Sequence, residues 1–223
     1  MRVAVLATGG KDSALSLYHT IRAGHEVAFL VSMIPLSEDS WMFHYPNIWL
    51  VDLFAKACGL CLVKFETAGE KETEVKDLEH VVEGLDVEGL VSGAIASQYQ
   101  KTRIEKVCSR LKIKCITPLW HMNPADVLQQ LLDLKFDVII TAVSAHGFTP
   151  EWLARRIDEN CVEDLLELNR RYGVSPVGEG GEYESLVLDA PFFSKRIEIV
   201  EAEKTWRNER GYFLVSKARL REK

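Results

Sequence analysis

Short apolar, β-branched runs alternate with helix-spaced segments through the first 143 residues of the chain, and this alternation limits the fold more than any other feature. Arg2–Ala7 reads as a strand. Asp12–Arg22 reads as a helix, because Ala14, Leu15, Leu17, Tyr18 and Ile21 recur at helical spacing and Gly24 stands where a cap belongs. Glu26–Met33, Leu60–Phe65, Gly89–Ile95, Lys114–Thr117 and Asp137–Val143 read as further strands. Asn47–Ala57, Lys71–Glu83, Tyr99–Leu111 and Ala125–Leu134 read as helices between them. Buried strands separated by helices call for a mostly parallel sheet covered on both faces, with ligands beyond the carboxyl ends of its strands. The pattern then changes. A helix over Glu163–Tyr172, capped by Gly173, precedes short strands at Leu186–Leu188, Arg196–Val200 and Tyr212–Ser216. The expected organisation is an α/β domain with a parallel sheet over 1–119 and a smaller α+β lobe over 120–223.

Composition narrows the class. A chain of 223 residues with 47% hydrophobic and 27% charged residues is an ordinary globular protein, long enough to fold without disulfides or a structural metal. No uncharged run approaches a membrane span, and the apolar run Val3–Ala7 is too short for a signal segment. Five cysteines, an odd number, argue for reduced thiols and a cytoplasmic setting. The net charge of −6 disfavours direct nucleic-acid binding. Residues 195–223 nevertheless carry nine Lys/Arg against five Glu; a solvated surface strand is the plain reading, and a docking surface for an acidic partner the sharper one.

Thr8-Gly9-Gly10-Lys11-Asp12-Ser13 lies between the first strand and the first helix. Two glycines let backbone amides approach an anion closely, the helix N-terminus adds partial positive charge, Lys11 adds a full one, and Thr8 and Ser13 offer hydroxyls. A Walker A loop is excluded, because Asp12 stands where that motif needs Ser or Thr. An ordinary Gly-Gly turn with a helix cap is the plainer alternative. The whole string resembles the pyrophosphate loop of the N-type ATP pyrophosphatases, with Thr8 in place of the usual Ser. That resemblance implies an adenine nucleotide alpha hydrolase-like (HUP/PP-loop) domain that cuts ATP between its α and β phosphates. Gly9, Gly10 and Ser13 would then hold the β and γ phosphates, Lys11 would stabilise the departing charge, and Asp12 would orient Mg²⁺ or cap the helix.

Gly178-Glu179-Gly180-Gly181-Glu182-Tyr183-Glu184 sets three carboxylates within six residues. Like charges so close call for a shared cation, such as Mg²⁺, ammonium or a cationic substrate, and Tyr183 offers a cation–π face. A polar turn before a strand is the plain alternative. Thr8–Ser13, Ser40–His44, Gly93–Ser97 with Gln100 and Arg103–Glu105, Pro118–Trp120 and Gly178–Glu184 together resemble the diphthine–ammonia ligase family, over Arg2 to about Ile199, in its compact archaeal form. The resemblance implies amidation of diphthine on elongation factor 2 with ammonia and ATP, through an acyl adenylate, giving diphthamide, AMP and pyrophosphate. It makes Glu179, Glu182 and Glu184 candidates for binding and deprotonating ammonium.

Other candidates are weighed against plainer roles. Gly93 and Ser97 follow the fourth strand, beside the first loop. Arg103 reaches toward a phosphate or makes a surface ion pair. The backbone of Met33, at the end of the second strand, is placed to meet adenine. His44, Gln98 and Tyr99 are substrate-binding candidates, although His44 also reads as a structural histidine. Trp41, Phe43 and Tyr45 alternate on an extended segment, as core or as a lid. Cys58 and Cys61 lack the further ligands a zinc site needs and read as buried thiols. Rival readings are a tRNA-thiolating enzyme of the same pyrophosphatase group and a non-catalytic ATP-binding module. A homodimer is compatible with the sequence.

Overall fold

The computed structural model describes residues 1–35, 47–67 and 71–223. Two compact units emerge, Met1–Thr8 with Asp12–Trp120, and Gly9–Lys11 with His121–Lys223.

The first unit is built on β1 (Arg2–Leu6), β2 (Glu26–Pro35), β3 (Cys61–Thr67), β4 (Gly89–Val91) and β5 (Lys114–Ile116). They form one parallel sheet in the order β3-β2-β1-β4-β5. Val3, Ala4 and Val5 are fully buried, as expected of a central strand covered on both faces. The helices are α1 (Lys11–Arg22), α2 (Val51–Cys58), α3 (Lys71–Glu83) and α4 (Gln98–Leu111), with a 3₁₀ turn at Ile48–Leu50 before α2. Right-handed crossovers in this order send α1 and α2 to one face and α3 and α4 to the other. Ala4, Val31, Met33 and Leu90 accordingly share a core with Val75, Leu78 and Val82 of α3 and Ile104 and Val107 of α4. The order reverses direction between β1 and β4, so the loops after these two strands flank a topological switch point.

The fourth strand is shorter than its apolar run suggests. It ends at Val91, although Ser92 still donates to Ile116 (2.9 Å). Gly93 then turns the chain away toward the start of α1.

The second unit contains α5 (Pro124–Asp133), β6 (Asp137–Val143), α6 (Glu159–Tyr172), β7 (Tyr183–Asp189), β8 (Lys195–Arg207) and β9 (Arg210–Glu222). Its antiparallel sheet runs β7-β6-β9-β8. α6 begins four residues before its expected start, because Asp158 caps it by accepting from the Cys161 amide (2.8 Å). The last two strands are far longer than their apolar cores. Asn208 and Glu209 both adopt positive φ (51° and 60°), so a two-residue turn joins β8 to β9, and pairing extends through polar sequence on either side.

Candidate active site

In the first unit, the sequence around the first loop packs through small residues. The Thr8 amide donates to Ser13 Oγ (3.3 Å), and the two hydroxyls lie 3.4 Å apart. Gly93 lies against the first turn of α1. A Cβ there would stand 2.9 Å from the Asp12 carbonyl carbon and 3.0 Å from the Ser13 nitrogen, closer than real side chains pack. Only glycine admits this approach of the loop after β4 to the N-terminus of α1. Ser97 caps α4, accepting from the Gln100 amide (3.3 Å). Gln98 is exposed and donates to Thr102 (3.0 Å). The Arg103 guanidinium lies 3.5 Å from the Tyr99 ring centroid and donates to the Tyr99 carbonyl.

The Met33 side chain is core. Its backbone is more informative. β1 ends at Leu6 and Ala7 donates to Val31 (2.9 Å), whereas β2 continues to Pro35. Backbone groups of a strand alternate in direction, so the Met33 amide and carbonyl face the side that β1 has vacated. Two buried hydroxyls that the sequence reading missed, Ser32 Oγ and Thr67 Oγ1, have no hydrogen-bond partner among the described residues. Nothing in the chain's periodicity sets them apart from other strand residues.

In the second unit, Gly9–Lys11 lies along β7. The Lys11 amide donates to Ser185 Oγ (3.2 Å), and the Val187 amide donates to the Gly9 carbonyl (2.9 Å). Lys11 is 3% exposed; its ammonium donates to the Val177 carbonyl and sits 4.9 Å from the centre of the Tyr183 ring. Gly9 and Lys11 are thus bonded to residues flanking the carboxylate segment, and Lys11 lies on Tyr183 within it; Lys11 and Ser185 stand 174 residues apart in sequence. Ser185 carries no sequence signal of this role beyond its place next to Glu184.

The carboxylate segment is a pair of turns. Gly178 donates to Ser175 and Gly181 to Gly178 (both 3.0 Å). Gly178 has φ +70°, and a Cβ there would meet the Tyr183 carbonyl oxygen at 2.7 Å, so the turn depends on glycine. Ser144, just after β6, clamps the segment: its amide donates to the Glu182 carbonyl (2.8 Å) and its hydroxyl to the Gly181 carbonyl (2.7 Å).

The three carboxylates have different surroundings. Glu182 folds back on its own loop, its two oxygens accepting from the Ser175 amide (3.0 Å) and the Gly180 amide (2.8 Å). Glu184 lies in β7, opposite Ala142 of β6, and Glu179 lies in the turn, its amide donating to Ser175 Oγ (3.3 Å). Among the described residues no three His, Cys, Asp or Glu side chains gather closely enough to hold a metal. The Ser175 and Gly180 amides offset the charge of Glu182. Tyr183 is buried, its hydroxyl donates to the Pro176 carbonyl (2.8 Å), and the cation on its ring is the chain's own Lys11. His44, and the alternating Trp41, Phe43 and Tyr45, lie outside the described residues.

The cysteines are free thiols. Cys58 ends α2, and burial pushes its thiol far above the ordinary range. Cys61 departs from the expectation of burial: it opens the edge strand β3 and is exposed.

Comparison with known proteins bears on both units. Residues 1–115 match the diphthamide synthase N-terminal domain, and residues 123–220 match the diphthamide synthase C-terminal domain. The diphthine–ammonia ligase of Bos taurus is 35% identical over 226 residues, spanning 91% of this chain and 84% of that protein. The Homo sapiens diphthine–ammonia ligase is 34% identical with the same coverage. A solved structure described as a predicted subunit of tRNA methyltransferase from Methanocaldococcus jannaschii covers 86% of this chain and 98% of its own, at 19% identity and a TM-score of 0.46, a likeness too loose to bear on activity. Both halves of the chain match one family, and the matched regions include the Gly-Gly loop and the carboxylate segment: the chain belongs to the diphthine–ammonia ligase family.

Proposed function

We propose that this chain is a C–N ligase that converts diphthine on elongation factor 2 to diphthamide, consuming ammonia and ATP and releasing AMP and pyrophosphate. Family membership supports the reaction. The observation that carries the site reading is the bonding of Gly9 to Val187 and of Lys11 to Ser185 and Val177, which supports placing these loop residues beside the carboxylate segment of the same unit. The residues present suit a nucleotide. Thr8, Gly9, Gly10 and Ser13 surround a helix N-terminus with small groups and hydroxyls, and Gly93 keeps the neighbouring loop free of side-chain bulk. Met33 presents its backbone for the base, Ser97 caps α4, and Arg103 stands on α4 as the candidate phosphate contact. Asp12, one carboxylate beside hydroxyls, suits Mg²⁺, a hard cation that keeps phosphate and water ligands.

When bound, ATP supplies an adenylyl group that turns the substrate carboxylate into an electrophile. The chain supplies the rest. Lys11 places a buried positive charge between the loop and the Tyr183 ring, where it holds the segment and offsets charge developing on the phosphates. Glu182 fixes the turns through the Ser175 and Gly180 amides. Glu184, held on a strand, is the proposed base that takes a proton from ammonium, with Glu179 in the turn binding a cation. Gln98, Tyr99 and His44 are the proposed contacts to the substrate histidine, and Tyr183 acts through Lys11. Five free cysteines fit a cytoplasmic protein. Among the described residues no helix is long and apolar enough to cross a membrane.

The test is a product assay with the full chain, ATP, Mg²⁺, ammonium and diphthine-bearing elongation factor 2. AMP release together with the mass change from hydroxyl to amino on the modified histidine is the expected result. AMP without that change would move the acceptor elsewhere, and the absence of AMP would sink the adenylating reading.

A further inference from the structure

Residues 200–210 form a run that is exposed at every position, although 200–207 belong to β8, the outer strand of the antiparallel sheet. Its base is well paired: Lys195 with Glu222 (2.6 Å), Glu198 with Arg219, and Glu201 with Lys217 (3.3 Å). Its outer half differs. Among the described residues Glu203, Arg207 and Arg210 enter no ion pair, and Arg207 stands directly opposite Arg210, two like charges across one rung. Trp206 is 38% exposed.

The ladder sets the direction of the free backbone groups. A two-residue turn makes Arg207 and Arg210 the bonded pair that closes the hairpin, so Arg207, Thr205 and Glu203 bond to β9. The N–H and C=O groups of Ala202, Lys204 and Trp206 therefore point outward, past the sheet edge. Charged side chains on an edge ordinarily guard it against pairing. Here they are arranged so that one register makes them complementary.

We propose that this edge pairs with the same edge of a second copy of the chain, antiparallel about Thr205, extending the four-stranded sheets into one. In that register Thr205 faces Thr205 of the other copy, Glu203 faces Arg207, and Lys204 faces the Trp206 ring, each charged pairing occurring twice. Lys204 and Trp206 form the bonded pairs, matching the groups that point outward. The neighbouring registers fail. Centred on Lys204 they oppose two ammonium groups and centred on Glu203 two carboxylates, whereas centred on Trp206 only residues 205–207 overlap, because Asn208 and Glu209 belong to the turn. Opposite charges directly across a pair stabilise a sheet and like charges destabilise it.

Sedimentation equilibrium of the full chain tests this, with Glu203→Arg, Arg207→Glu, the double swap, and Lys204→Pro. All four lie on an exposed strand, and the Lys204 N–H is not used by β9. The wild type is expected to shift from one to two chains as concentration rises. Each single reversal, which sets like charges opposite twice, should raise the dimer Kd about tenfold or more, and the double swap should restore it. Lys204→Pro should weaken the dimer as strongly as a reversal. A wild type monomeric at about 100 μM, where a micromolar contact would be filled, overturns the proposal. So does a dimer indifferent to all four variants, a double swap that fails to rescue, or a monomer whose edge instead captures elongation factor 2.

Discussion

Glu182 and Glu184 stand two residues apart, yet their surroundings separate their roles. Glu182 spends both oxygens on the Ser175 and Gly180 amides, so Glu182→Gln should disturb the turn: loss of the charge-assisted bonds should lower the thermal midpoint and weaken turnover together. Glu184→Gln keeps the size of this side chain on β7, and amide formation should fall at least 100-fold, the ordinary scale for losing a general base. AMP and amide assays beside calorimetry check both variants, and a Glu184→Gln protein with unchanged amide formation would contradict the role. Thr67 offers a second test at this scale. Its buried hydroxyl has no partner among the described residues, so Thr67→Val removes a desolvation cost and should keep or raise stability by up to about 1 kcal/mol. If the hydroxyl serves the nucleotide at the carboxyl edge of the sheet, KM for ATP rises in the same variant. An unchanged KM would return Thr67 to the core.

At the scale of elements, the second unit hangs on β6. Asp137, at its first residue, accepts from Arg156 (2.9 Å) and Arg196 (3.0 Å), and so links the segment before α6 and the start of β8 to one carboxylate. Its side chain is 18% exposed, which protects these bonds from full solvent screening. Asp137→Asn should cost about 1–2 kcal/mol in urea unfolding, more than a typical surface pair. A loss no larger than that of an exposed pair such as Glu201–Lys217 would show that the link is ornamental. At the other end of β6, Ser144 clamps the carboxylate turns, so one strand both anchors the sheet and positions the proposed site.

Across the whole molecule the thiols report on pH. Burial pushes the Cys161 thiol from 9.0 to about 12, and Cys58 rises further for the same reason. These groups hold their protons in the folded state after the unfolded chain has lost them. Stability therefore is complete below pH 9 and falls as pH rises toward 12. The thermal midpoint should drop over that window, and Cys58→Ala with Cys161→Ala should flatten the drop, as scanning calorimetry at several pH values will show. A slope unchanged in the double variant would assign alkaline loss to other groups. A thiol reagent should modify the exposed Cys61 well before Cys58 or Cys161.

Much of this protein follows from local sequence. Apolar runs bounded by glycines and caps are short-range signals, and the β–α alternation, the parallel sheet of the first unit and the helix cap at Gly173 are legible from them. The Gly-Gly loop and the carboxylate segment are legible because their chemistry needs unusual residues in tight spacing. Tertiary structure decided what depends on distant partners. No local signal says that Lys11 ends against Val177 and Tyr183, that Glu182 turns inward while Glu184 stays on a strand, or that Gly93 is pressed on Asp12. The charge of residues 195–223 reads as a solvated surface strand but does not say how far β8 and β9 run, since a long hairpin is held by its ladder and its turn, whatever the side chains outside them.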